Sequence, residues 1–293
     1  MVIVDTHAHI YSTDETAYPM RDDPLRPPSG TGSMEHLVRE MDAAGVDRVM
    51  LIQTFTAYEY DNRFIADTSV AHPDRSRGVV TLDPTDPGAI DTLRDLHARA
   101  NLGAIRMYPT RGENPTFAHE GHGRLIEAAT ELGLVTNILI DTPYADALAK
   151  HLSDYPSARI VLDHCMNLRA GASEILARTV DLASFPNLYA KLTFAITGSD
   201  EEYPCRDTHD LVHAVIEAYG AERCIWGSDF PCELWCPKVS YAQSLAILSE
   251  EIPLPEDVRT RILGGTATDL YFGGNYSAGP VRTGMKGLPT RAS

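Results

Sequence analysis

The 293-residue chain has no excess of positive charge: 25 lysines and arginines stand against 41 aspartates and glutamates, for a net charge of −16, and protonating all 11 histidines would leave the sign unchanged. That balance disfavours nucleic acid and anionic membranes as partners. A small anionic substrate stays compatible with it, because a pocket can be locally positive inside an acidic protein. Long hydrophobic runs are missing as well. Met1-Val2-Ile3-Val4-Asp5-Thr6-His7 has no basic start, and its apolar stretch is too short for a signal peptide or a membrane span, so the expected location is cytoplasmic. Five cysteines, an odd number scattered between Cys165 and Cys236, make no secreted disulfide framework and read as reduced thiols. There is no low-complexity tract, no internal repeat beyond a strand-helix rhythm, and no feature that specifies an oligomeric state. The pairs Gly264-Gly265 and Gly273-Gly274 lack the spacing of a phosphate loop and read as turn or helix-end residues.

What is present is the composition of a globular protein: 43% hydrophobic and 23% charged residues, enough to bury a large core. Short apolar runs recur, each followed by a longer amphipathic stretch, the pattern of βαβ units in an α/β fold. Eight strands are expected, at Val2–Thr6, Val46–Gln53, Ser76–Leu82, Gly103–Tyr108, Leu134–Ile140, Arg159–Asp163, Leu188–Thr193 and Cys224–Ser228. Most are near-continuous Val, Ile and Leu, as parallel strands covered on both faces should be. Ser33-Met34-Glu35-His36-Leu37 reads as a capped helix start and Ala43-Ala44-Gly45 as a helix stop, with similar stops at Gly133 and Gly220. Pro19 to Gly32, rich in Pro, Gly and Asp, reads as a long loop over the mouth of the fold. The length suits one barrel of about 250 residues with modest additions. Residues 1–272 are therefore expected to form a single-domain (β/α)8 TIM barrel. Residues 273–293 form a C-terminal tail poor in apolar content, mobile or covering a partner. Periodicity alone fits a doubly wound open sheet equally well.

The candidate chemistry decides between the two. Asp5-Thr6-His7-Ala8-His9 ends the first strand, and residues two apart on an extended segment share a side, so His7 and His9 can converge on one metal ion or one reacting group. His164 stands just beyond the sixth strand and Asp229 just beyond the eighth. A closed barrel rings those strand ends around one mouth, where catalytic groups gather in this fold; an open sheet would not bring all four together.

These motifs resemble the amidohydrolase superfamily over roughly Val2 to Phe272. The likeness rests on His7-x-His9, on Asp163-His164, on Trp226-Gly227-Ser228-Asp229-Phe230-Pro231, and on Ile262-Leu263-Gly264-Gly265-Thr266-Ala267 in a closing helix. Gln53-Thr54, Asp61-Asn62-Arg63 and Gly103-Ala104-Ile105-Arg106 make the chain most similar to the branch of 2-pyrone-4,6-dicarboxylate lactonase, 4-sulfomuconolactone hydrolase and sugar lactonases. One departure matters. Many superfamily members carry a metal-binding histidine on the fifth strand, whereas this one reads Val135-Thr136-Asn137-Ile138-Leu139-Ile140-Asp141. The resemblance implies relatives that use a divalent metal and relatives that work without one. If a metal such as zinc is held, His7, His9 and Asp229 are its expected ligands, with His164 as a further candidate. No organic cofactor is implied.

The expected reaction is hydrolysis of a small, carboxylated lactone, in catabolism of an aromatic compound or sugar acid. Lactone hydrolysis needs a base for water, a donor or cation for the carbonyl oxygen, and an acid for the leaving oxygen. Asp229 is read as base and later proton donor, with His7, His9 and His164 polarising the carbonyl; the alternative for Asp229 is a carboxylate capping the next helix. Arg106 and Arg111 are read as carboxylate-binding groups. Thr54, Lys191, Arg206 and Tyr18 are weaker substrate-binding candidates, read equally well as surface or packing residues. Cys165 follows His164 in what reads as an extended segment, where neighbours point apart, so a Cys-His nucleophile pair is not expected. Cys232 and Cys236 lack the second pair that a structural zinc site needs, and Trp226 and Phe230 read as packing groups. The competing readings are a metal-dependent decarboxylase or hydratase, which the fifth strand argues against, and a non-catalytic ligand-binding barrel.

Overall fold

The computed structural model describes residues 1–273. The expected tail therefore lies, Gly273 apart, outside the described residues. The strands are β1 (Val4–His9), β2 (Arg48–Ile52), β3 (Ser76–Thr81), β4 (Leu102–Met107), β5 (Val135–Ile138), β6 (Ile160–Leu162), β7 (Leu188–Lys191) and β8 (Cys224–Ile225). They form one parallel sheet in sequence order, with helices between successive strands. The ring closes between β1 and the segment after β8: Ala8 bridges Phe230, Thr6 N donates to Trp226 O at 3.2 Å, and His9 N donates to Phe230 O at 2.7 Å. Closure makes this a (β/α)8 TIM barrel rather than an open sheet.

All eight expected strands exist, with shifted ends. β1 runs three residues past its expected end because its last residues pair with the closing segment. β8 keeps only two residues. Beyond it the chain turns at Gly227, where a Cβ would stand 2.8 Å from the Cβ of His7, so a side chain there would collide with the site. Ser33 caps the helix Met34–Ala44, its Oγ accepting from His36 N, and Gly45 ends it at φ 73°. The closing helix approaches the first strand so closely that a Cβ on Gly264 would lie 1.8 Å from Val2 O.

Two-residue periodicity sorts the barrel interior into layers. Val79, Ala104, Val135, Val161 and Ile225 build an apolar floor, sealed from below by Leu270 and Tyr271. The next inward positions after the first four of these are polar, Thr81, Arg106, Asn137 and Asp163, and Lys191 at the end of β7 joins them; all five are buried. Thr81 pairs with Arg106 and Arg106 with Asn137 in register, so three of them lie side by side. The strand period thus places a charged shelf directly beneath the mouth.

The long loop lies at the C-terminal side of the barrel, where it is tied to the rim of the mouth. Arg21 N donates to Ala57 O at 2.8 Å, Leu25 N to Thr56 O at 3.4 Å, and Gly32 O accepts from Tyr11 N at 2.9 Å. Those bonds tie it to the segments that follow β1 and β2, and none of its residues lines the mouth cavity. No helix among the described residues is long and apolar enough to cross a membrane.

Candidate active site

His7, His9 and Asp229 come together as their spacing predicts. His7 Nε2 lies 3.3 Å from His9 Nε2 and 3.4 Å from Asp229 Oδ1, and His9 Nε2 lies 3.7 Å from Asp229 Oδ1. Asp5 joins the two segments that carry them. Its Oδ1 accepts from His7 N at 3.0 Å and Ser228 N at 2.9 Å, and its Oδ2 from Ser228 Oγ at 2.6 Å and Tyr241 OH at 3.1 Å. Asp229 adopts φ 54° and does not cap a helix: the next one, Cys232–Trp235, starts after Pro231 and has no side-chain cap. Burial is the main cause that pushes the Asp229 carboxyl up, to about 7; Arg106 opposes it and Asp163 adds to it. Burial first, and then the charge of Lys191 for His7 and of Arg106 for His9, holds both imidazoles well below their ordinary range, hence neutral.

Lys191 is neither a surface charge nor a cavity residue. It is fully buried, with Nζ 2.7 Å from Asp163 Oδ1, 3.0 Å from Thr6 O and 3.1 Å from His7 Nδ1. Asp163 faces two cations, since its Oδ2 accepts from Arg106 Nε at 2.8 Å. Burial alone would raise the Asp163 carboxyl, but Lys191 and Arg106 together hold it below the usual carboxylate range. Sequence reasoning missed this triad because a lysine ending a strand gives no sign of the carboxylate that meets it from the neighbouring strand.

His164 joins the cluster, its ring centroid 4.7 Å from that of His7. Its segment is not extended. His164, Cys165, Met166 and Asn167 take φ of 52°, 49°, 60° and 55°, a left-handed turn of four non-glycine residues. Such backbone costs about 1–2 kcal/mol per residue, and the surroundings hold it: Leu168 N donates to His164 O at 3.0 Å, Thr179 Oγ1 to Cys165 O at 3.1 Å, and Asn167 Nδ2 to Asp141 Oδ1 at 2.8 Å. Cys165 therefore turns away for another reason than alternation. Its Sγ lies 3.6 Å from Lys191 O, and burial raises the thiol well above its ordinary range, leaving it inert. Burial likewise keeps the His164 ring neutral, lowering it to about 3. Trp226 and Phe230 are buried packing groups.

Above the cluster opens a cavity of about 440 Å³, lined by His9, His164 and Asp229 together with Arg106, Arg111 and Arg169, and walled by Phe55, Tyr108 and Trp235. Asp229 is the sole carboxylate among the lining residues. Arg106 is partly committed: its Nε goes to Asp163 and its Nη1 donates to Tyr108 OH at 2.7 Å, leaving Nη2. Arg111 lies over the rings of Phe55 and Tyr108, at 4.5 and 5.5 Å, with no ion-pair partner among the described residues. Three weaker candidates lie elsewhere. Tyr18 donates to Asp67 Oδ2 at 2.9 Å and packs on Phe64, Thr54 donates to Ile10 O at 3.1 Å, and Arg206 is exposed and outside the lining of the mouth cavity. Arg169 and Tyr108 were missed. One signal was available: Arg169 follows His164 by the same interval at which Arg111 follows Arg106.

His7, His9 and Asp229 form the one group with metal-ligand spacing among the described residues. A tetrahedral zinc with ligands at 2.0–2.1 Å separates its donors by about 3.3–3.4 Å, so the triangle fits an ion. The expected vacancy on the fifth strand is filled by Asn137, whose Oδ1 accepts from Tyr271 OH at 3.0 Å. A proton stands against the fit, however. An ammonium at Lys191 has one donor for each of its three neighbours, which places the ring proton of His7 on Nε2, towards His9 and Asp229. Binding a metal through Nε2 requires that proton to move to Nδ1.

Known proteins are similar to this chain in sequence and in fold. An L-fucono-1,5-lactonase from Burkholderia ambifaria is 27% identical over 287 residues, covering 92% of this chain and 94% of its own. A Pseudomonas putida structure provisionally assigned as a 2-pyrone-4,6-dicarboxylic acid hydrolase superposes with a TM-score of 0.78 at 23% identity, over 94% of this chain and 99% of its own. An Acinetobacter baumannii structure with the same provisional assignment and citric acid bound gives 0.75 at 17% identity, over 93% of this chain and 100% of its own. The amidohydrolase family model matches residues 4–273, which takes in every strand of the barrel and all four strand-end groups. The chain belongs to the amidohydrolase family.

Proposed function

We propose that this chain opens a small carboxylated lactone by adding water to its ester carbonyl. One observation carries the reading. Asp229, a buried carboxylate pushed up to about 7, faces a cavity whose other charged lining groups are arginines, in a protein of net charge −16. A base poised near the working pH suits proton transfer from water, and guanidinium groups suit carboxylates. The lactonase relative and the pyrone-dicarboxylate neighbours support the same substrate chemistry.

In the mechanism the arginines orient the substrate by its carboxylates, with Arg111 and Arg169, unpaired with any acid among the described residues, as the main cations and Arg106 contributing its remaining Nη2. Asp229 takes a proton from water as the water oxygen bonds to the carbonyl carbon. His164, neutral and facing the cavity, is placed to donate to the oxygen that gains negative charge, with His9 beside it. As the ring C–O bond breaks, the proton held by Asp229 passes to the departing oxygen, and a hydroxy acid results. The cations Arg106 and Lys191 outnumber Asp163 on the shelf below, which favours the ionised base and the negative intermediate. His7, His9 and Asp229 are the residues that would hold a divalent ion if His7 gave up its Nε2 proton, and such an ion would lower the pKa of a coordinated water.

A panel of neutral and carboxylated lactones, assayed for ring opening with and without chelator, tests this. Turnover biased to the carboxylated members is expected. Release of carbon dioxide from aromatic acids would replace the reading with a decarboxylase, and binding without turnover with a ligand-binding barrel.

A further inference from the structure

Two residues beyond β7, Thr193 is completely buried, and its Oγ1 lies 2.7 Å from His164 Nδ1. The contact ties the left-handed turn after β6 to the end of β7. It also decides where the imidazole proton sits. Among the described residues the Thr193 hydroxyl makes no other hydrogen bond. A buried O–H has to place its proton, because a stranded donor loses its hydration with nothing in return, whereas a hydroxyl oxygen with an unused lone pair loses less. The hydroxyl therefore donates and Nδ1 accepts. A neutral imidazole accepting at Nδ1 carries its proton on Nε2, and Nε2 is the nitrogen left for the cavity that His164 lines beside Asp229.

We propose that Thr193 is a positioning residue that holds His164 in the Nε2–H tautomer, so that His164 serves as a donor to the lactone carbonyl oxygen and leaves the base role to Asp229. The inference rests on the lactonase reading for the step it serves. With the opposite tautomer, a nitrogen lone pair would face the carbonyl oxygen and oppose the charge that develops there. A ring held in the wrong tautomer by its partner is known to be a severe catalytic defect even where the geometry survives.

The test uses the full chain labelled with ¹⁵N-histidine, with long-range proton–nitrogen correlation spectra reading the tautomer of His164, assigned by the signal lost in His164→Asn. The wild-type ring is expected to carry its proton on Nε2. Thr193→Val keeps the shape and removes the hydroxyl. It is expected to shift the ring toward the Nδ1–H form and to lower kcat on the best lactone roughly 10-fold to 100-fold, with KM little changed. Thr193→Ser is expected to restore both. A wild-type ring protonated on Nδ1 overturns the proposal whether or not any variant folds, and so does a folded Thr193→Val protein with unchanged kcat. If no lactone is turned over, the spectra still decide the tautomer, and the failure falls on the substrate reading alone.

Discussion

Arg106 and Asp163 meet through one Nε–H···Oδ2 bond of 2.8 Å, and both side chains are shut off from solvent. Lys191 holds the other oxygen of the same carboxylate at 2.7 Å. One anion therefore serves two buried cations, and removing it would leave both uncompensated. Asp163→Asn, nearly identical in shape, is expected to destabilise the barrel by about 3–5 kcal/mol. Urea unfolding followed by circular dichroism measures this, and a loss well under 1 kcal/mol would mean that the shelf is not charged as described.

The same pairing redirects the search for the carboxylate clamp. Arg106→Met should damage the fold as well as binding, which makes it a poor probe. Arg111→Met and Arg169→Met remove exposed cations with no acidic partner among the described residues. Each is expected to raise KM for a carboxylated lactone roughly 10-fold or more, the worth of a charged hydrogen bond, with little change for a neutral lactone. Equal effects on both substrates would detach these arginines from the carboxylates.

Asp229→Asn should keep the fold and substrate affinity while kcat falls roughly 10²- to 10⁴-fold, since proton transfer alone is removed. Steady-state kinetics with a binding measurement on the variant separates the two quantities. Turnover near normal would take Asp229 out of the role of base.

The pH dependence follows with a definite sign. Burial raises the Asp229 carboxyl to about 7, and a base works in its deprotonated form. kcat/KM should therefore climb about tenfold per unit as pH rises toward that value and level off above it. A flat profile between about pH 5 and pH 9 would contradict the assignment.

Metal removal is the remaining test. The proton that Lys191 directs to Nε2 of His7 opposes coordination there, so turnover is expected to survive dialysis against chelator. Lost activity that returns with zinc would show that His7 gives up that proton to bind an ion.

Much of this was legible in the sequence, because a buried parallel strand leaves a plain apolar signature and because His7, His9, His164 and Asp229 each stand at the end of one. The unreadable parts depend on tertiary partners. Nothing local distinguishes Lys191 from a surface lysine until Asp163 is seen opposite it. The left-handed turn at His164 was equally hidden, since Cys165, Met166 and Asn167 carry no glycine to announce positive φ and are held from outside by Thr179 and Asp141. Tyr18, Thr54 and Arg206 stand outside the lining of the mouth cavity, because closeness to a strand end along the chain does not fix the direction in which a loop leaves it.

The cylinder is thinly laddered where its first and last staves meet, with the single bridge of Ala8 to Phe230. β8 supplies two residues, and the join to β1 rests on a few main-chain bonds and the carboxylate of Asp5. Asp229 is mounted on that join. Gentle heating should loosen it before the rest of the wall gives way, so the enzyme would fall silent while most of its helices still stand.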